Sequence, residues 1–159
     1  MNKERHKITP ASYLILTKDN KVLLLHRFNT GYEDGKYSMI AGHVDKGETF
    51  TECIVREAKE EAGIIIKPEN LKVSHVMHRD SRHGEDNERI DVFFTVKNWD
   101  GEIENKEPNK CDDLSWFPLN NLPANTIDYV RFAIENYQNG TYYSEFGWEV
   151  ACLDQIKAK

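Results

Sequence analysis

The chain has 159 residues, 39% of them hydrophobic, and its 27 acidic residues outnumber 21 lysines and arginines for a net charge of −6. This length suits one domain with a sizeable core. The acidic surplus argues against a duplex nucleic-acid binder, which normally has a basic face. No apolar run nears membrane-spanning length and the three cysteines are far apart, so we expect a cytoplasmic protein without membrane contact or a disulfide framework.

The N-terminal third predicts strands and a polar loop. Two apolar runs, residues 13–16 and 22–25, predict a hairpin with its turn at Asp19-Asn20. Their continuous apolar character predicts strands that are covered on both faces. A glycine-containing polar loop over residues 26–35 follows, and residues 37–40 predict a short strand that leads into Gly42.

A helix is predicted to follow Thr49. Thr49 and Glu52 have the spacing of a capping box, and Gly63 is typical of a residue that ends a helix. Between them, apolar residues recur at helical spacing and predict one buried stripe: Phe50, Ile54, Val55, Ala58 and Ala62.

Three carboxylates share one face of this helix, because Glu57, Glu60 and Glu61 stand at i, i+3 and i+4. Such a cluster fits either a solvated surface face or a site for a divalent cation such as Mg²⁺, which prefers oxygen ligands. Glycines flank the preceding loop at Gly42 and Gly47, where a tight backbone could approach a metal or a phosphate.

The remaining chain predicts further strands over residues 64–66, 71–78, 89–99 and 115–119. Apolar residues at helical spacing over 127–137 predict a second helix, with Gly140 as its stop. Strands interleaved with two amphipathic helices indicate an α/β domain. The aromatic residues after Gly140 lack clear periodicity.

The segment over residues 42–64 is similar to the signature of the Nudix hydrolases, G-x5-E-x7-R-E-U-x-E-E-x-G-U with U aliphatic. The matching positions are Gly42, Glu48, Arg56, Glu57, Ala58, Glu60, Glu61, Gly63 and Ile64. The resemblance implies a Nudix fold, a mixed β-sheet sandwiched between helices (α/β/α). We predict a domain over residues 5–140 and a C-terminal extension over 141–159.

The resemblance also implies a site and a reaction. Family members use Mg²⁺, for which Mn²⁺ can substitute, to hydrolyse a nucleoside diphosphate linked to another group X. The match predicts metal ligands in Glu57, Glu60 and Glu61, joined by the carbonyl of Ala41. It predicts Glu48 as a further ligand or a helper, and Arg56 as the residue that orients the carboxylates.

The general base is not fixed by the signature, because some family members draw it from outside the box. Glu107 is the preferred outside candidate, since it precedes the last strand where family members keep a further metal-binding glutamate. Acids near the end of the polar span after residue 78 are the alternatives: Glu85, Asp86 and Glu88.

Substrate contacts are predicted from a basic residue and three aromatic residues, Arg27, Phe28, Tyr32 and Trp116, with Phe117 and Tyr129 as further stacking candidates. Because neighbouring residues of a strand alternate faces, at most one of Trp116 and Phe117 can meet a ligand. A competing zinc site would use His75, His78 and His83 with Cys111, although this spacing matches none of the usual structural zinc patterns.

The chain lacks the additional motifs of several Nudix subfamilies, so we expect a small-molecule nucleotide, most simply a (deoxy)nucleoside triphosphate cut to a monophosphate and pyrophosphate. ADP-ribose, a nucleotide sugar and a related nucleoside diphosphate derivative are the alternatives. A Nudix-fold sensor without catalysis is a further alternative, but such proteins typically lose carboxylates of the box. A homodimer is compatible with the sequence.

Overall fold

The computed structural model describes residues 3–80 and 88–148. Two α-helices, α1 (Phe50–Ala62) and α2 (Asp128–Gln138), accompany nine strands. The strands are β1 (Thr9–Ile15), β2 (Thr17–Lys18), β3 (Lys21–Arg27), β4 (Tyr37–Ser38), β5 (Ile40–His43), β6 (Leu71–Asp80), β7 (Glu88–Val96), β8 (Cys111–Pro118) and β9 (Tyr143–Phe146). Within the described ranges, no helix has the length and apolar character needed to cross a bilayer.

The strands form two sheets. One has the order β5-β1-β7-β6-β9 and is mixed, because β1 pairs parallel to β7 while β5 runs antiparallel to β1. In the other, β3 pairs antiparallel with β2, β4 and β8. The sequence predicts one mixed sheet, whereas the structure divides the strands between two.

Alternate residues of β1 enter two different hydrophobic clusters, as expected for a strand covered on both faces. Leu14 packs in the cluster that contains Ile54 and Ala58 of α1. Tyr13 packs in the cluster that contains Val130 and Ile134 of α2. The helices therefore cover opposite sides of the strands, and the α/β/α arrangement is confirmed.

The chain passes from one sheet to the other at Leu16, between β1 and β2. Because of this switch, the run over residues 13–16 does not form the predicted hairpin with β3, although the Leu23 amide donates to the Leu16 carbonyl at 3.0 Å. β2 pairs with β3 instead, at Thr17↔Val22. The predicted turn is present, with Asp19 at φ 51° and Asn20 at φ 58°.

Four other segments differ from the sequence prediction. Residues 64–66 form only an isolated bridge, Ile65 to Asp100, and not a strand. β8 begins at Cys111, four residues before the predicted start, and β7 ends at Val96. After Gly140, β9 pairs in parallel with β6. The first residues beyond the predicted domain boundary thus extend the sheet.

Candidate active site

The ends of α1 are fixed as the sequence predicts. The Thr49 hydroxyl accepts from the Glu52 amide at 3.1 Å, and the Glu52 carboxylate accepts from the Thr49 amide at 2.8 Å. Gly63 follows the helix at φ 71°, a left-handed conformation that glycine adopts without a steric penalty. These contacts fix the register in which α1 presents its glutamates.

β5 lies directly against the glutamate face of α1. A Cβ atom at Gly42 would stand 1.9 Å from Oε1 of Glu57, so only glycine lets this strand approach so closely. One position earlier, the Ala41 amide donates to Oε2 of Glu61 at 3.1 Å. The strand thus contacts two of the three clustered carboxylates.

Arg56 links three glutamates of the signature. Its Nε and Nη2 donate to the two oxygens of Glu48 at 2.8 and 3.0 Å. Its Nη1 donates to Glu57 at 2.6 Å and to Glu60 at 3.2 Å. The guanidinium also holds the pKa of Glu48 down at about 2. This geometry suits Arg56 to orienting the carboxylates, the role predicted for it, and leaves Glu48 occupied as its partner.

A cavity of about 420 Å³ opens beside α1. Its lining includes all three clustered glutamates of the helix, Glu57, Glu60 and Glu61, together with Glu107. Glu107 comes from the loop before β8, where its carbonyl accepts from the amides of Lys110 and Cys111 at 2.9 Å each. The structure therefore brings the preferred candidate base to the signature carboxylates. We refer to this space as the carboxylate cavity.

The carboxylates of this cavity destabilise one another's charged forms. Burial raises the pKa of Glu61 well above its ordinary value, and the charges of Glu57 and Glu107 raise it further, although Arg27 opposes them. Burial also raises the pKa of Glu57, against the effect of Arg56. A bound cation would relieve this repulsion.

The donor set fits Mg²⁺, which takes hard oxygen ligands and keeps substrate phosphates as partners. Glu57, Glu60 and Glu61 would hold it, with Glu107 across the cavity. Among the described residues, no three acidic, histidine or cysteine side chains already converge in a ligating arrangement. Arg56 and the Ala41 amide hold the carboxylates instead, and the Ala41 amide rather than its carbonyl contacts the cluster.

A second cavity, of about 330 Å³, adjoins the first, and Arg27 lines both. Tyr32 also lines the second cavity, and the Arg27 guanidinium lies 5.3 Å from its ring centroid. Sequence reasoning weighed Tyr129 for this role but missed Tyr13 and Arg79, which complete the wall. The sequence does contain a signal for the burial of Arg79. In a strand, residues two positions apart point to the same face, so Arg79 lies on the same face as the apolar residue Met77. We refer to this space as the tyrosine cavity.

Two of the predicted substrate contacts lie elsewhere. Trp116 packs against the hydrophobic cluster beside α1, and the described lining of neither cavity includes it. Its neighbour Phe117 packs on the α2 side. Phe28 is 41% exposed and is likewise absent from both linings. Because neighbouring side chains of β8 point to opposite faces, Trp116 and Phe117 pack against the two different hydrophobic clusters.

Of the alternative acids and the proposed zinc ligands, the described residues are not assembled into one site. Glu88 pairs with His78 at 2.6 Å and with His6. His75 is buried and contacts the Thr141 carbonyl and the Ser144 hydroxyl, both at 2.7 Å. Cys111 lines the carboxylate cavity instead. Three further residues named by the sequence analysis, His83, Glu85 and Asp86, lie outside the described residues.

Comparison with known proteins decides the family. The NUDIX domain profile matches residues 7–135, which is most of the chain. The chain belongs to the Nudix family. An ADP-ribose pyrophosphatase from Methanocaldococcus jannaschii is 36% identical over 124 residues, covering 77% of this Nudix hydrolase and 69% of that protein. The chain is accordingly an enzyme that hydrolyses phosphoanhydride bonds.

Other relatives cover the Nudix domain to different extents. The NAD-capped RNA hydrolase NudC from Stutzerimonas stutzeri is 29% identical over 133 residues, and the aligned region is 82% of this chain but only 45% of that protein. A crystal structure of a MutT NUDIX hydrolase from Burkholderia pseudomallei superposes with a TM-score of 0.73 at 26% identity. It covers 82% of this chain and 98% of that one.

Proposed function

We propose that this Nudix hydrolase cleaves a (deoxy)nucleoside triphosphate to a monophosphate and pyrophosphate, with Mg²⁺ held by Glu57, Glu60 and Glu61. The observation that carries the proposal is the meeting of these carboxylates with Glu107 in one cavity. When bound, Mg²⁺ neutralises phosphate oxygens that would otherwise repel a nucleophile, and it acidifies a bound water.

The chain's own residues divide the remaining tasks. Arg56 keeps Glu57 and Glu60 in place through its two Nη1 contacts, with Glu48 as its anchor. Glu107 would accept a proton from the attacking water. Its side chain is 31% exposed and pairs with Lys110 at 3.3 Å, so it is accessible to water yet held in the cavity.

The volume of the second cavity favours a substrate that has a single small group, such as one nucleoside, attached to its phosphates. At about 330 Å³ it lies at the lower end of the usual range for ligand pockets. Arg27 stands between the cavities, where a cation favours a bridging phosphate. A triphosphate bound across this boundary would place its nucleoside beside Tyr13 and Tyr129 and its phosphates beside the glutamates.

ADP-ribose is the second candidate substrate, and it is favoured by the 36% identity to an enzyme named as an ADP-ribose pyrophosphatase. The same carboxylates would serve either reaction, because both break a phosphoanhydride. The two candidates differ in the leaving group, which is pyrophosphate for a triphosphate and ribose 5-phosphate for ADP-ribose. Measuring kcat/KM for both substrates therefore distinguishes them.

The test compares kcat/KM for nucleoside triphosphates, ADP-ribose, dinucleoside polyphosphates, NADH and nucleotide sugars with Mg²⁺, with Mn²⁺ and with a chelator. We expect triphosphates to give the highest value and monophosphate plus pyrophosphate as products. A clearly higher value for ADP-ribose would replace the proposed substrate. Glu107→Gln should lower kcat about 10²-fold or more. Glu104→Gln, in the same loop and with its carboxylate paired to Lys106, is the matched control and should stay active.

A further inference from the structure

Arg79 is a buried arginine with unused hydrogen-bond donors in the wall of the tyrosine cavity. Its side chain is 2% exposed. Nε donates to Asp91 at 2.7 Å, and Nη2 lies 3.4 Å from the Tyr13 hydroxyl and 3.5 Å from Asp91. Within the described part of the chain, Nη1 is buried and has no hydrogen-bond partner. A buried donor without a partner is costly, so the position requires an explanation.

The guanidinium cannot readily turn to satisfy Nη1 elsewhere. Asp91 holds one edge, and the Tyr129 ring lies against the guanidinium plane with its centroid 3.7 Å from Cζ. Stacking and pairing of this kind leave an arginine with a fixed fork of donors. Nη1 is thus a fixed pair of N–H groups, on a residue that lines the cavity, without an acceptor among the described residues.

A second arginine of the same cavity has the same property. Nε of Arg89 is buried and unpartnered among the described residues, while its Nη1 lies 2.6 Å from Nε2 of His43. Burial and the charge of Arg89 lower the pKa of His43, so its neutral ring accepts this contact. Both arginines therefore have a buried N–H group without an acceptor among the described residues.

The other walls favour a flat heteroaromatic group. Tyr13, Tyr32 and Tyr129 line the cavity with the small residues Ala11 and Ala41. Aromatic rings stack on bases with little regard to sequence, whereas an arginine distinguishes bases by the acceptors on their edges. Of the two purine types, a 6-oxo base presents oxygen and N7 acceptors together, and a 6-amino base presents a donor beside N7.

We propose that the tyrosine cavity binds the base of the nucleotide and that Arg79 selects purines with a 6-oxo group over purines with a 6-amino group. The inference rests on the proposed function for the position of the phosphates in the carboxylate cavity. Arg79 is then a specificity-determining residue that contacts substrate without taking part in the hydrolysis. Arg89 supplies a second donor to the same edge.

The test uses inosine and adenosine triphosphates, which differ at C6, 6-oxo against 6-amino, and in the proton that the 6-oxo base carries on N1. We expect kcat/KM for inosine triphosphate to be about 10-fold or more above that for adenosine triphosphate. Arg79→Lys keeps a positive charge beside Asp91 but removes the planar set of guanidinium N–H donors. It should bring the ratio of the two kcat/KM values close to one. The double variant Arg79→Met/Asp91→Asn removes both partners of the buried pair and serves if Arg79→Lys does not fold.

Arg131→Lys is the matched control, because Arg131 lies on α2, donates to the Pro123 carbonyl and lines neither cavity in the described structure. It should keep the wild-type ratio. Equal kcat/KM for the two triphosphates in the wild type, or an unchanged ratio in the Arg79 variants, would overturn the proposal.

Binding of the two monophosphates, measured by calorimetry, separates this inference from the proposed function. If triphosphates were not hydrolysed but inosine monophosphate still bound about 10-fold more tightly than adenosine monophosphate, the proposed reaction would fail and the role of Arg79 would stand. If triphosphates were hydrolysed without discrimination, the reaction would stand and the role of Arg79 would fail.

Discussion

Replacing Glu61 by glutamine should raise the stability of the protein without Mg²⁺ and lower it, relative to the wild type, when Mg²⁺ is bound. Without metal, the change removes a carboxylate whose charge is opposed by burial, by Glu57 and by Glu107. The glutamine oxygen can still accept from the Ala41 amide, which lies 3.1 Å from the carboxylate. We therefore expect the variant to be more stable by about 1 kcal/mol, in the range usual for relief of unfavourable charge. In a domain of this size that is about 2–4 °C in Tm.

With Mg²⁺ the order should invert. A metal present at about 100 times its Kd adds about 2.7 kcal/mol to the stability of the state that binds it. The wild type receives this contribution in full, and the variant, which lacks one ligand, receives less. Activity should fall with the ligand, because loss of one preorganised electrostatic group typically lowers kcat about 10²–10³-fold.

Thermal unfolding of both proteins over a Mg²⁺ titration, alongside steady-state hydrolysis, measures all three effects. Glu52→Gln is the control on the same helix. Glutamine also completes a capping box, so this variant should lose well under about 1 kcal/mol at every Mg²⁺ concentration and stay active. Parallel titration curves for wild type and Glu61→Gln, without a crossing, would refute the assignment of Glu61 as a metal ligand.

Three other variants test the remaining contacts. Glu60→Gln should change the free energy of unfolding by less than about 1 kcal/mol, because its pair with Arg56 is half exposed. Its kcat should nevertheless fall about 10²-fold or more, and full activity would exclude it as a ligand. Glu48→Gln should destabilise the protein in urea at pH 7. Because the folded pKa of Glu48 is lowered from 4.5 to about 2, this difference should disappear as the pH falls through that window, and a difference that grows would contradict the ion pair. Gly42→Ala should displace the Glu57 carboxylate and lower kcat about 100-fold with an unchanged circular dichroism spectrum; wild-type turnover would show that the close approach is unimportant.

Local signals in the sequence predicted the bounds of α1 and the common face of Glu57, Glu60 and Glu61. The capping box, the left-handed Gly63 and the i, i+3, i+4 spacing act within a few residues of one another, so no tertiary information is needed. Glu107 is a candidate base only through the resemblance to the family. Its approach to Glu57 depends on how β8 pairs with β3, which a single sequence does not reveal.

The features that the sequence did not predict depend on contacts between distant segments. The run over residues 13–16 has the same apolar pattern whether it pairs with β3 or with β7, and the switch at Leu16 follows from the parallel pairing of β1 with β7. β9 is short and half exposed, so its pattern is weak, and its position depends on pairing with β6. Arginine is usually a surface residue, and the burial of Arg79 depends on contacts with distant segments, among them Asp91 on β7 and the Tyr129 ring on α2.

The two faces of β1 have a consequence for how enzymes of this design can be altered. The face toward α1 supports the glutamates, whereas Tyr13, on the face toward α2, belongs to the tyrosine cavity together with Tyr129. Under the proposed function, the side chains assigned to hydrolysis and the side chains assigned to the base therefore belong largely to separate packing layers. On this proposal, we expect replacements on the α2 side, such as changes at Tyr129, to alter the preferred substrate while the residues that pack beneath the glutamates stay unchanged. A library confined to that layer is the natural starting point for engineering new selectivity.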